Sequence, residues 1–170
     1  MTRYFAMLLA AGFMLQAQEN PISTELKGSY NGIKNNLMKA ADKVSEADYA
    51  FKPTPDVRTY GAEVAHAADS ALRTCSVVNG EVKQGSAASK TAKADLVAAL
   101  KEAFAECDKA YEGMTDAAAG TMLSAGRGQR SKIGILYGNV AHLNETYGTM
   151  VVYMRLKGVV PPSSEPRPGR

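Results

Sequence analysis

Apolar residues recur at steps of three and four in four separate segments of this chain, which commits most of it to amphipathic helices. The first segment runs from Asn20 to Val44, with a stripe of Ile22, Leu26, Tyr30, Ile33, Leu37, Ala41 and Val44. Asn20 suits an N-cap and Pro21 the first helical position. The loop Ser45 to Arg58 follows, where Pro53 and Pro55 forbid a helix. A second helix begins after Thr59, another N-cap residue, and stops near Asn79 and Gly80. Its stripe is Tyr60, Val64, Ala68, Ala71, Cys75 and Val78. The third runs from Thr91 to Glu112 and carries Leu96, Leu100, Phe104, Cys107 and Tyr111 before Gly113.

A Gly-rich connection, Met114 to Arg130, leads to Ser131 as the cap of the last helix, which extends to Leu156. Ile133, Leu136, Val140, Leu143, Tyr147, Val151 and Met154 form its main stripe, while Ile135, Tyr153 and Leu156 lie elsewhere on the cylinder. A helix apolar nearly all round is expected at the centre of a fold. No strand pattern and no internal repeat is visible. With 170 residues, 45% of them hydrophobic and none of them Trp, the chain suits one all-α domain, a four-helix bundle.

The ends differ from this body. Arg3 followed by the apolar run Tyr4 to Leu15 reads as a secretory signal over residues 1–17, with cleavage after Ala17. The run is too short for a standard spanning helix, and an uncleaved N-terminal anchor is the alternative. No Cys follows it, so the usual lipoprotein attachment residue is missing. Export implies a periplasmic or extracellular destination and an oxidising compartment. The two cysteines, Cys75 and Cys107, fall on the stripes of successive helices, so a disulfide is expected, with two buried free thiols as the alternative. The bundle is assigned to residues 20–162. The tail from Val159 holds four prolines and reads as an extended strap, with residues 163–170 flexible.

The last helix carries His142, Glu145, Thr146, Tyr147, Tyr153 and Arg155, then Gly158, Pro161 and Pro162. The second opens with Tyr60, Gly61, Glu63 and His66, after a loop holding Asp48, Phe51, Pro53 and Pro55. Over essentially the whole mature chain these features resemble the DinB-like superfamily of bacterial four-helix bundles. That resemblance implies a metal held by three histidines, one from the second helix and two, four residues apart, from the last. His66 and His142 stand at two of those positions, and Thr146 at the third. Residues four apart share a helix face, so two imidazoles there can grip one ion. A hydroxyl is a poor ligand for zinc or nickel beside imidazole or carboxylate. Glu145 and Asp69 are candidate substitutes, neither in the family's geometry.

On a helical wheel His66 lies opposite the Val64 and Cys75 stripe, near Asp69 and Arg73, and His142 lies opposite Val140 and Tyr147, near Gly138 and Thr149. Neither reads as a plain core residue. They line a polar cleft between the second and last helices, with or without a metal, or they simply face solvent. Tyr147, Tyr153 and Arg155 match the family's last helix and read as anchors of the bundle.

Three functions follow. The first is an exported DinB-like protein without catalysis, its metal site degenerate, binding a small-molecule ligand. The second is a divalent-metal enzyme of the thiol-transferase or hydrolase type that the resemblance implies, using zinc or nickel. The third is a structural or oligomeric module, a homodimer included. Other chemistry lacks a motif: Gly126 to Gly128 is no phosphate loop, and the cysteine spacing fits neither a zinc nor a redox motif. A net charge of +3, with only Arg127, Arg130 and Lys132 clustered, argues against nucleic acid. Membrane contact is expected only through an uncleaved N-terminal segment.

Overall fold

The computed structural model describes residues 20–126 and 128–166. The signal reading of residues 1–17 lies outside them. Four helices, α1 (Pro21–Lys43), α2 (Tyr60–Val78), α3 (Lys93–Glu112) and α4 (Lys132–Leu156), form an all-α bundle. None of the described helices is long and apolar enough to cross a membrane.

The stripes supply the core. Leu37, Val64, Ala71, Leu100, Leu136 and Leu143 are all fully buried. Tyr30 of α1 stacks on Tyr111 of α3 at 3.9 Å between ring centroids, and meets Phe104 edge-on at 6.2 Å. Its hydroxyl donates to Asp108 at 2.8 Å, which also pairs with Lys34 at 2.6 Å. Burying an aromatic ring while its hydroxyl finds an acceptor removes the desolvation cost of the polar tip.

α2 and α3 make the most extensive helix contact, and Cys75 and Cys107 form a disulfide across it, both completely buried. The side-chain amide of Asn139, in α4, lies against both sulfurs at 3.7 and 3.8 Å and donates to the Tyr111 hydroxyl at 3.1 Å. Glu106 of α3 is buried beside this interface. Hydrogen bonds from Asn79 and Lys83 hold its carboxyl down to about 2, against its own desolvation.

Several local readings are corrected. Asn20 does not cap α1 with its side chain; it accepts instead from the Asp116 N–H. The cap is Asp116 itself, reaching across 93 residues to the N–H of Ser23 at 2.7 Å and to that of Ile22 at 3.1 Å. Desolvation opposes the charge on Asp116, but these bonds keep its carboxyl below the usual range. α3 starts at Lys93 rather than Thr91, and Glu46 takes the Lys93 N–H.

The connection before α4 is not plain loop: β1 (Met122–Ala125) and β2 (Gly128–Ser131) pair antiparallel. Gly126 takes a positive φ of 63° at the turn. The strands bury no complete face, so they leave no alternating apolar signal. Ser131 then caps α4 through the Gly134 N–H.

α4 is not enclosed all round. Ile135 and Tyr153 are buried, but Tyr137, Val152 and Leu156 are exposed on its outer flank. The strap after Gly158 packs back on the bundle: Pro161 and Pro162 are buried, and the Tyr147 hydroxyl both accepts from the Ser163 N–H and donates to Ser163 Oγ, each at 3.0 Å. Ser163 to Glu165, expected within the flexible tail, are thus tied down, Ser164 by Arg155 and Glu165 by Lys43.

The bridge closes a loop with a sequence separation of 32 residues, which in the chain-entropy account stabilises by about 3 to 4 kcal/mol. Replacing both cysteines by serine is expected to lower the urea-unfolding free energy by about that amount, and an unchanged midpoint would contradict it.

Candidate functional site

Two buried tyrosines position the start of α2. Tyr60 donates to the Ala40 carbonyl at 2.8 Å, and Tyr49, from the 3₁₀ turn Glu46–Ala50, donates to Ala41 at 2.6 Å. Both clamp the loop to the end of α1. Gly61 permits this approach, because a Cβ there would lie 3.1 Å from the Tyr49 ring and 3.2 Å from its carbonyl oxygen. The Thr59 hydroxyl accepts from the Ala62 N–H and fixes the first turn.

From this fixed start, His66 arrives half-buried on the side of α2 that meets α4. His142 of α4 meets it edge to face, with ring centroids 4.8 Å apart and an interplanar angle of 82°. The two histidines of the chain therefore share one place, where α2 meets α4. Burial, and then the nearby charge of Arg58, depress the pKa of His66 below 6.5. Its imidazole is therefore mainly neutral at pH 7. Nδ1 of His142 lies 3.7 Å from the Glu145 carboxylate, an exposed group on the same helix.

The other candidates point elsewhere. Thr146 is buried, and its hydroxyl donates to the His142 carbonyl of its own helix at 3.0 Å. Such back-bonding satisfies the hydroxyl hydrogen within the helix. Asp69 uses both carboxylate oxygens on backbone N–H groups, those of Ala87 at 2.9 Å and Ala88 at 3.0 Å. Among the described residues no group of three His, Cys, Asp or Glu side chains could hold a metal ion. Glu145 is an exposed side chain 3.7 Å from His142, so two imidazoles meet without the third converging protein ligand that even an open zinc site uses. The present donor set thus does not fit a resident ion.

Sequence reasoning missed Glu63 and Arg58. Glu63, one turn before His66, is only 5% exposed, and its carboxylate sits 3.6 Å from the Arg58 guanidinium. The Arg58 carbonyl accepts from the Tyr153 hydroxyl at 3.1 Å, which ties α4 to the loop. Tyr153 titrates above its ordinary value, through burial and then the Glu63 charge. A glutamate on a helix ordinarily reads as solvated face, and nothing in its spacing marks this one as buried. Beside His66, between α2, the Glu46–Ala50 turn and the segment 88–91, opens a cavity of about 580 Å³.

The family model for the DinB superfamily matches residues 32–150, and the chain belongs to that superfamily. A DinB-like protein from Bacillus cereus ATCC 10987 shares the fold with a TM-score of 0.68 at 18% identity, over 82% of this chain and 95% of that one. A DinB-like protein from Bacillus subtilis gives a TM-score of 0.63 at 17% identity, over 79% and 92%. No curated protein matches the chain.

Because the folded protein depresses His66, the unfolded chain binds its proton more readily. This contribution to stability is full above about pH 6.5 and is lost as pH falls through the lower folded value. The urea midpoint should therefore fall more between pH 7.5 and 5.5 in the parent than in His66→Asn, and equal falls would contradict the assignment.

Proposed function

We propose that this DinB-superfamily protein is an exported, non-catalytic bundle whose metal site is degenerate and whose cleft beside His66 binds a small molecule. The observation that carries this reading is Thr146. At the position where the family's third histidine is expected, its hydroxyl bonds to the His142 carbonyl rather than facing an open site. The two remaining imidazoles pack against each other, and imidazole nitrogens can serve as hydrogen-bonding wall of a ligand site without any ion.

Export rests on the N-terminal signal pattern, and the buried Cys75–Cys107 bridge supports it, since such bridges persist in oxidising compartments. The same location weighs against the thiol-transferase reading, because reduced thiol cofactors belong mainly to the cytosol. One observation favours that alternative: His66 and His142 remain adjacent, with Glu145 within 3.7 Å of His142. On that reading Glu145 and water would complete a divalent-metal site.

Thr146→His tests the placement of the cleft. A histidine there shares the face of His142, and the variant should bind zinc or nickel more than about tenfold tighter than the parent. Adding His66→Ala should abolish the gain. A Thr146→His protein that is folded by circular dichroism yet binds no more metal than the parent would show that the two histidines do not surround one site.

A further inference from the structure

The cavity beside His66 has a one-sided hydrogen-bonding character. Its apolar surface comes from Tyr49, Ala62, Ala65 and Leu96. Its carboxylates are Asp69 and Glu46. Both oxygens of Asp69 already accept backbone N–H groups, and one oxygen of Glu46 accepts that of Lys93. The Tyr49 hydroxyl is donated to Ala41. Three of these four carboxylate oxygens are thus engaged by backbone N–H groups, while His66 and Thr91 also line the cavity.

The donors are not consumed. Lys90 lines the cavity and its ammonium has no acceptor among the described residues. Arg58 lines it too, with five N–H donors, and among the described residues it pairs with one carboxylate, that of Glu63, at 3.6 Å from Nη1. A cavity with apolar walls and two cationic side chains, Lys90 unpaired among the described residues and Arg58 shared with Glu63, suits an anion joined to an apolar body. Its volume of about 580 Å³ lies in the range of small-molecule sites and leaves ample room for a single ring or a medium acyl chain.

We propose that this cavity binds small monocarboxylic acids with an apolar body, the carboxylate held by Arg58 and Lys90 and the body lying on Tyr49 and Leu96. The proposal rests on reading the His66 cleft as a metal-free ligand site. Arg58 supplies a fork that a carboxylate matches with two parallel bonds, and Lys90 adds a point charge. A phosphate would match the donors but leave the apolar walls wet.

The test is calorimetric titration of the full mature chain, metal-free, with benzoate, octanoate, benzyl alcohol and inorganic phosphate, with ¹⁵N NMR to locate the shifts. Benzoate or octanoate should bind at least about tenfold tighter than benzyl alcohol or phosphate, with shifts at residues 58–66 and 88–96. Lys90→Gln should weaken carboxylate binding by about tenfold or more while leaving benzyl alcohol unchanged, and Arg58→Lys should weaken it less than Arg58→Gln. Lys90→Gln keeps the test decisive if loss of Arg58 beside buried Glu63 unfolds the protein.

No carboxylate binding, equal binding of the neutral or phosphate probe, or an undiminished Lys90→Gln variant would overturn the proposal. Binding that appears only with added zinc and vanishes in His142→Ala would overturn both the proposal and the metal-free reading beneath it. Failure without metal dependence would overturn the carboxylate assignment alone.

Discussion

The Cys75–Cys107 bridge is where this bundle is pinned. It joins α2 to α3 in the dry centre of their interface, and α4 reaches it through Asn139, whose amide lies within 3.8 Å of both sulfurs. That amide also bonds to Tyr111, on which Tyr30 of α1 stacks, so all four helices meet at one locus. The arrangement leaves Oδ1 of Asn139 buried without a partner among the described residues. An unmet acceptor of this kind costs on the order of 1 to 3 kcal/mol, close to what the bridge contributes. The covalent link and the packing around it must therefore outweigh a polar group placed where nothing satisfies it. With α2 packed against α3 on one side and α4 on the other, His66 and His142 come together with their rings 4.8 Å apart.

Much of this architecture is legible in the sequence because it is periodic. Tyr60, Val64, Ala68, Ala71 and Cys75 are each buried, as are Leu96, Leu100, Phe104, Cys107 and Tyr111. The disulfide follows because both cysteines sit on those stripes. The two histidines meet between α2 and α4, where the wheel left a polar cleft and a solvent-facing placement both open. What escapes is non-local. Asp116 caps a helix that ended more than seventy residues earlier, and no window of sequence contains both partners. The hairpin 122–131 is too short and too exposed to print an alternating pattern. The exposed Tyr137, Val152 and Leu156 show the opposite error: apolarity all round α4 overstated how much of it the other helices cover.

The site divides along the same line. Residue identity shows that position 146 lacks an imidazole, and ligand chemistry does the rest. Where the Thr146 hydroxyl turns, and that Asp69 is spent on the segment after α2, depend on three-dimensional partners. Glu63 is the clearest case, a carboxylate buried one turn from His66 and compensated by Arg58 from the preceding loop. Together these groups make a polar corner rather than a ligand cage. Its acids are held by backbone amides or by Arg58, and its imidazoles lie against each other.

In the function proposed above, this corner works without a resident ion. The direct test is the metal content of the mature protein, purified without a histidine tag or chelator, measured by mass spectrometry beside His66→Ala. No stoichiometric zinc, nickel or other divalent ion is expected in either protein, even after incubation with excess ion and desalting. About one ion per chain in the parent, lost in His66→Ala, would contradict it and restore the metal-dependent reading.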